Sequence, residues 1–281
     1  MDCANNQQVE SVRGCMAIRH LLIAGLISVA TAAAGQTRPH CPQAISFGLY
    51  ENGYIYDKAS KQGIDQDVAN ELASRSGCQF EFKLMPRARI WHELKSGTLM
   101  MTGSGIQTEL RDGFSWSVRY MAQKNFVLIL TDLPARTPAQ FMANRDWIWG
   151  AVRSYKHGVG ADAFLDELRK ANRVSDEADL EAAFRVLALQ RASALFAPPP
   201  AYAKYVKQMK LGDSLRVEDW FPEDPPIPHA MFFSKTHFAP AEMAKWATLV
   251  RQLRTDGTLK AIYTKHLGGD DAERMLQFTP D

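Results

Sequence analysis

The chain has 281 residues, room for about two domains, and its 33 Lys and Arg against 31 Asp and Glu leave a formal charge of +2. With no basic block and no alternation of aromatic and basic residues, it lacks the electrostatic footprint of a nucleic-acid binder, and that class is set aside. The seven histidines show no H-x-x-x-H or H-E-x-x-H spacing, so no zinc is expected, and Gly103-Ser104-Gly105 is not a dinucleotide fingerprint, so no cofactor is expected either.

The N-terminus reads as an export signal. Arg13 and Arg19 precede the apolar run Leu21 to Ala30, and Thr31-Ala32-Ala33-Ala34-Gly35 offers small residues for cleavage after Ala34. The run is short for a bilayer span. Residues 1–34 are therefore expected to be removed, with Met16 as an alternative start, leaving a periplasmic protein. Cys41 and Cys78 remain after cleavage, each just ahead of a strand-like run. In an exported chain such a pair can form a disulfide or stay as two thiols.

In chain order, Ile45 to Tyr50 is an apolar run of strand length, followed by the turn residues Glu51-Asn52-Gly53 and an aromatic loop with Tyr54 and Tyr56. Gly63 to Ser76 predicts a helix, with Ile64, Val68 and Leu72 on one face and Gly77 as its stop. Phe80 to Leu84 alternates as a strand, Pro86 opens a helix ended by Gly97, and Thr98 to Thr102 is a third strand. Strand, helix, strand, helix, strand implies βαβ units and a parallel sheet.

The stretch from Thr102 to Tyr120, TGSGIQTELRDGFSWSVRY, is the focus of the chain. A polar loop at the carboxyl end of a strand is where open α/β sheets bind ligands. The Arg of T-x-x-R (Thr108, Arg111) offers a planar charged fork for a carboxylate.

Asn125 to Thr131, Ile148 to Val152, Ala194 to Ala197 and His229 to Ser234 predict further strands. Helices are expected at Ala161 to Asn172, Asp179 to Gln190, Pro240 to Asp256 and Leu259 to His266. The FVLIL run would leave the first α/β unit for a second, and the MFFS run would return. Two lobes joined by two crossing strands make a hinged cleft.

These residues resemble the extracellular solute-binding proteins of family 3, the amino-acid type with a type II periplasmic binding fold. The resemblance rests on G-I-D-Q-D-V-A (Gly63 to Ala69), P-R-A-R-I-W with a later L-x-x-G (Pro86 to Gly97) and T-E-L-R. Further signs are W-S-V-R-Y, G-A-V-R-S-Y (Gly150 to Tyr155), R-A-S-A-L-F-A (Arg191 to Ala197), and Ser234-Lys235 before a helix ending in Asp256-Gly257. It implies an α/β fold of two lobes, each a mainly parallel sheet flanked by helices: lobe 1 from 41–126 plus 231–268, lobe 2 from 127–230, and a tail at 269–281. It implies a monomer that binds a small molecule and delivers it to a membrane ABC permease.

By resemblance, Arg111 clamps a ligand carboxylate, Ser104, Ile106 and Thr108 contact it, and Tyr54 and Tyr56 stack on it. Ser154, Tyr155 and Lys156 would present N–H groups to the carboxylate ahead of a helix. Two departures stand out. Pro198 occupies the place of an Asp that pairs with the ligand's amine, and W-S-V-R-Y stands where the family has F-S-x-P-Y. If Arg87, Arg89, Arg119 and Lys156 face the cleft, they favour an acidic or non-amino ligand.

Two other functions fit the same fold: an exported enzyme similar to cyclohexadienyl dehydratase, and a ligand-sensing partner of a membrane receptor. The enzyme would need a cleft-facing carboxylate beside Arg111 with a raised pKa. Glu51 and Asp57 flank the expected cleft as candidates, with solvated loop carboxylates as the plainer reading.

Overall fold

The computed structural model describes residues 38–41, 43–153 and 155–280; the export signal and Ser154 lie outside these residues. The first unit is β1 (Ile45–Leu49), α1 (Ile64–Ser76), β2 (Phe80–Leu84), α2 (Arg87–Ser96), β3 (Met101–Gly105), α3 (Glu109–Asp112) and β4 (Ser115–Gln123). The chain then enters β5 (Phe126–Leu130), α4 (Pro138–Ala143), β6 (Trp149–Val152), α5 (Val159–Lys170), β7 (Val174–Glu177), α6 (Leu180–Ala188), β8 (Ala194–Ala197), α7 (Pro199–Gln208) and β9 (Leu215–Glu218). It returns through β10 (Ile227–Ser234) and closes with α8 (Pro240–Thr255), α9 (Thr258–Leu267) and α10 (Gly269–Met275).

The strands form two five-stranded sheets with matching topology, β2-β1-β3-β10-β4 and β7-β6-β8-β5-β9. In each, the first three strands are parallel and the fourth runs antiparallel to both its neighbours, so four of the five strands share one direction. The fourth strand is in both cases the one that follows a crossing between units. β1 is buried along its whole length, as a central strand covered on both faces must be. One face of the first sheet packs on α1, α8, α9 and α10 around Phe47, Leu72, Trp246 and Met275, and the other on α2 through Ile90 and Leu94. The second sheet is covered by α6 and α7 on one face and by α4 and α5, around the fully buried Trp149, on the other.

Several boundaries differ from the sequence reading. The third strand runs over Met101–Gly105 and takes in the G-S-G, because β1 pairs with Met101 and Thr102 while β10 pairs with it as far as Gly105. β10 pairs with β4 from Ile227, so residues 227–230 belong to the first sheet. Gly269–Met275 is a helix whose Ala272 and Met275 enter the first core. The three prolines after β8 start α7, since a proline in the first helical turn sacrifices no hydrogen bond. Cys41 and Cys78 form a disulfide at the end where β1 and β2 begin. Among the described residues no helix is long and apolar enough to cross a membrane.

Candidate ligand-binding cleft

The G-S-G of β3 is shaped by what it packs against. A Cβ on Gly103 would sit 2.5 Å from the Asp65 carboxylate, and one on Gly105 would collide with Phe232 and Trp91, at 2.3 and 2.6 Å. The small residues therefore admit protein side chains close to the backbone. Ser104 between them has φ 51°, the left-handed region that a residue with a Cβ enters at a cost of about 1–3 kcal/mol. Its hydroxyl donates to Asp65 at 2.8 Å, and its N–H donates to the Tyr120 hydroxyl at 2.8 Å. Ser104 is fully buried, so it fixes the shape of the loop instead of lining the cleft.

The loop leads to T-E-L-R. Thr108 is the N-cap of α3, its hydroxyl accepting from the Arg111 N–H at 3.3 Å. That spacing carries Arg111 back over the Trp91 ring, 3.7 Å from the centroid, with Nη1 donating to the Ile106 carbonyl. Burial first, then the neighbouring Arg87 charge, pulls the Arg111 guanidinium down to about 10, where it is still charged at neutral pH. Arg87, at the start of α2, lies over Tyr50 at 5.0 Å. Among the described residues neither arginine has a carboxylate partner.

Beside this pair lies a cleft of about 340 Å³. From the first unit it is lined by Asn52, Arg87, Ile106, Gln123, Ile227 and His229, and from the second by Asn125, Tyr155, Lys156, Leu180 and Pro198. His229 stands at a step in register, from His229 opposite Met121 to Ala230 opposite Arg119. That step leaves Tyr120 as the extra residue of a bulge on β4. Burial above all, reinforced by Arg87 and Arg111, holds the His229 imidazole at about 4, so it is neutral. Its Nδ1 lies 2.8 Å from the Ile227 carbonyl, which can only accept, so Nδ1 carries the proton and Nε2 is an acceptor.

Of the residues expected at the site, Arg87, Ile106, Tyr155 and Lys156 line the cleft; Arg111 does not line it, but lies close enough to feel Arg87 and to act on His229. Tyr54 and Tyr56 do not line it. The loop folds back on itself, with Asn52 N–H donating to the Tyr56 carbonyl at 3.1 Å. This turns Tyr54 toward His266 and buries Tyr56 in the first core. Thr108 faces an adjoining surface groove. The expected helix-start anion site is already filled. α5 begins at Val159, and the N–H groups of Gly160 and Ala161 bond the Asp224 carboxylate at 2.9 to 3.1 Å. Tyr155 N–H is likewise committed, to the Val152 carbonyl at 3.2 Å.

Arg89 is an exposed helix residue paired with Glu93, and Arg119 lines the adjoining groove. Glu51 and Asp57 both bind Lys204 of α7. Burial opposes ionisation of Asp57, but hydrogen bonds from Lys204, Ser60 and the Ala59 N–H outweigh it and hold the carboxyl at about 2.

The model of the bacterial extracellular solute-binding proteins, family 3, matches residues 46–269. The chain belongs to that family. Among solved structures, the fold of this binding protein is similar to an ancestral cationic amino acid solute-binding protein, with TM-score 0.65 and 19% identity over 80% of this chain and 95% of that one. It is also similar to the L-cystine solute receptor of Neisseria gonorrhoeae in its unliganded open conformation, at 0.59 and 19% over 82% and 94%. A histidine kinase sensor domain with similarity to periplasmic binding proteins aligns at 0.60 and 17% over 80% and 96%. No curated protein matches the chain. The two mixed sheets thus form the two lobes of a type II periplasmic binding fold.

Among the described residues of this family 3 binding protein the carboxylate with a raised pKa is Asp65, buried against Ser104 and Tyr120. Burial pushes it up to about 6, although hydrogen bonds from Tyr120 and Ser104 and the Arg87 charge pull the other way. A folded-state value above the unfolded 3.8 means that stability is fullest at low pH and is lost as pH rises through about 6. Urea unfolding should show wild type losing about 1.4 kcal/mol relative to Asp65→Asn between pH 5 and 8. Parallel pH profiles for the two proteins would rule out Asp65 as the titrating group.

Proposed function

We propose that this protein is a periplasmic receptor that captures a small, polar, carboxylate-bearing solute between its lobes and delivers it to a membrane ABC permease. The observation that carries the reading is the Arg87–Arg111 pair. Two guanidinium groups that repel each other stand at a cleft lined from both lobes, with no carboxylate partner among the described residues. A ligand carboxylate placed there gains charge-assisted hydrogen bonds and relieves the repulsion. Lobe closure turns on the two crossings, 124–125 and 219–226, which Lys124 ties together through Asp219 at 2.8 Å. The alternative enzyme reading requires a carboxylate beside Arg111, and the described lining residues include none.

A thermal-shift screen of amino acids, dicarboxylates, aromatic acids and polyamines tests the reading. A ligand at a hundred times its Kd adds about 2.7 kcal/mol, raising Tm by roughly 5–10 °C in a chain of this size. A selective shift by a carboxylate supports the receptor. Shifts by polyamines alone would refute it.

A further inference from the structure

The cleft carries charge of one sign. Arg87 and Lys156 line it from opposite lobes and Arg111 lies close enough to feel Arg87, while none of its described lining residues is acidic. The carboxylates that act on its lining residues are Asp65, Asp162 and Asp179, and all three are committed to the protein. Asp65 is buried against Ser104 and accepts hydrogen bonds from the Ser104 and Tyr120 hydroxyls. Asp179 caps α6, accepting from the Ala182 N–H at 2.8 Å. Lys156 reaches Asp162 only loosely, at 3.7 Å, and its side chain is 81% exposed, free to turn into the cleft.

A ligand ammonium group would find only neutral acceptors here: the amide oxygens of Asn52, Gln123 and Asn125, and His229 Nε2. These can share hydrogen bonds with it. They cannot offset repulsion from three cations in a partly desolvated cleft. Pro198 contributes neither a charge nor an N–H.

We infer, resting on the receptor reading above, that the cleft selects small dianionic organic acids without an ammonium group over amino acids. One carboxylate sits against Arg87 and Arg111 of the first lobe. The second meets Lys156 and the Tyr155 hydroxyl of the other lobe, so the ligand's two charges span the closing lobes.

The test is titration calorimetry with matched pairs, succinate against aspartate and glutarate against glutamate, with glutamine and butyrate as single-carboxylate references. The des-amino member of each pair should bind about tenfold tighter or better. Lys156→Gln should weaken succinate about fivefold and butyrate by clearly less, a modest loss because the lysine is exposed to solvent. Tighter binding of aspartate, glutamate or glutamine would overturn the inference and leave the receptor reading standing. An unchanged succinate affinity in Lys156→Gln would overturn the two-lobe grip. Failure of every carboxylate to bind would overturn both readings.

Discussion

An Arg111→Ala variant is expected to fold with nearly unchanged stability and to bind its carboxylate ligand some 30- to 1,000-fold more weakly, the equivalent of about 2–4 kcal/mol. The two halves of that expectation have different physical origins. In the free protein Arg111 gains from its face-on contact with Trp91, worth about 0.5–2 kcal/mol, but it sits against the like charge of Arg87. Removing it sacrifices the first and relieves the second, so the net change in stability stays within about 1 kcal/mol. In the complex the same side chain supplies a planar fork, and losing it strands part of the carboxylate. Arg111→Lys keeps the charge without the fork and should fall between the two. Calorimetric titration beside urea unfolding reads both quantities. Wild-type affinity in Arg111→Ala would leave Arg87 as the carboxylate's sole anchor.

Breaking the Cys41–Cys78 bond should be the most destabilising single change to the fold. The bond closes a loop with a sequence separation of 37, and the loop-entropy estimate for that length is about 4 kcal/mol. Cys41 precedes β1 and Cys78 follows α1, so the bond staples the entry points of two parallel neighbours in register from Ile45 and Phe80. Reduction, or a Cys41→Ser, Cys78→Ser double variant, should lower Tm by roughly 10 °C. The m-value should rise as the unfolded chain expands. An unchanged melting curve after reduction, with both thiols accessible to a labelling reagent, would show the bond to be dispensable. A bond of this kind persists in an oxidising compartment, which supports the proposed periplasmic location.

The fold was legible where burial wrote itself into local pattern. Continuous apolar runs mark β1, β5, β8 and β10, strands covered on both faces, and Gly77 and Gly97 stop the helices that separate the first three strands. β4, β7 and β9, all edge strands, are not among the strands the sequence predicts. VSDE and LRVE are short edge strands with half-exposed residues, and they carry no apolar run to betray them. The bulge at Tyr120 and the return of β10 at Ile227 depend on pairing across more than a hundred residues, which no local window contains.

The cleft was legible in part. Arg87, Ile106, Tyr155 and Lys156 lie in loops or helix starts that the βαβ order brings to one end of the sheets. Side-chain direction within a loop is another matter. Glu51-Asn52-Gly53 announces a turn, but not that it closes by pairing Asn52 with Tyr56 and so removes both tyrosines from the cleft. Asp224 shares no sequence neighbourhood with Gly160, yet its carboxylate takes the helix start that looked ready for a ligand. Asn52, Gln123, Asn125 and His229 are ordinary in composition, and only the tertiary arrangement makes them a lining.

Lys204 has a consequence for handling the cargo. This lysine of the second lobe, its side chain only 12% exposed, holds Glu51 and Asp57 of the first, while Pro200 accepts from the Tyr54 N–H at 2.9 Å and Tyr202 donates to Asp271 at 2.5 Å. These contacts favour the arrangement in which both walls of the cleft face each other. The apparent dissociation constant is the intrinsic one divided by the fraction of molecules in the competent form. A receptor so biased captures at low solute concentration with little loss to rearrangement. Letting go would then require an outside agent to prise the lobes apart, and under the receptor function proposed above that agent is the docked permease.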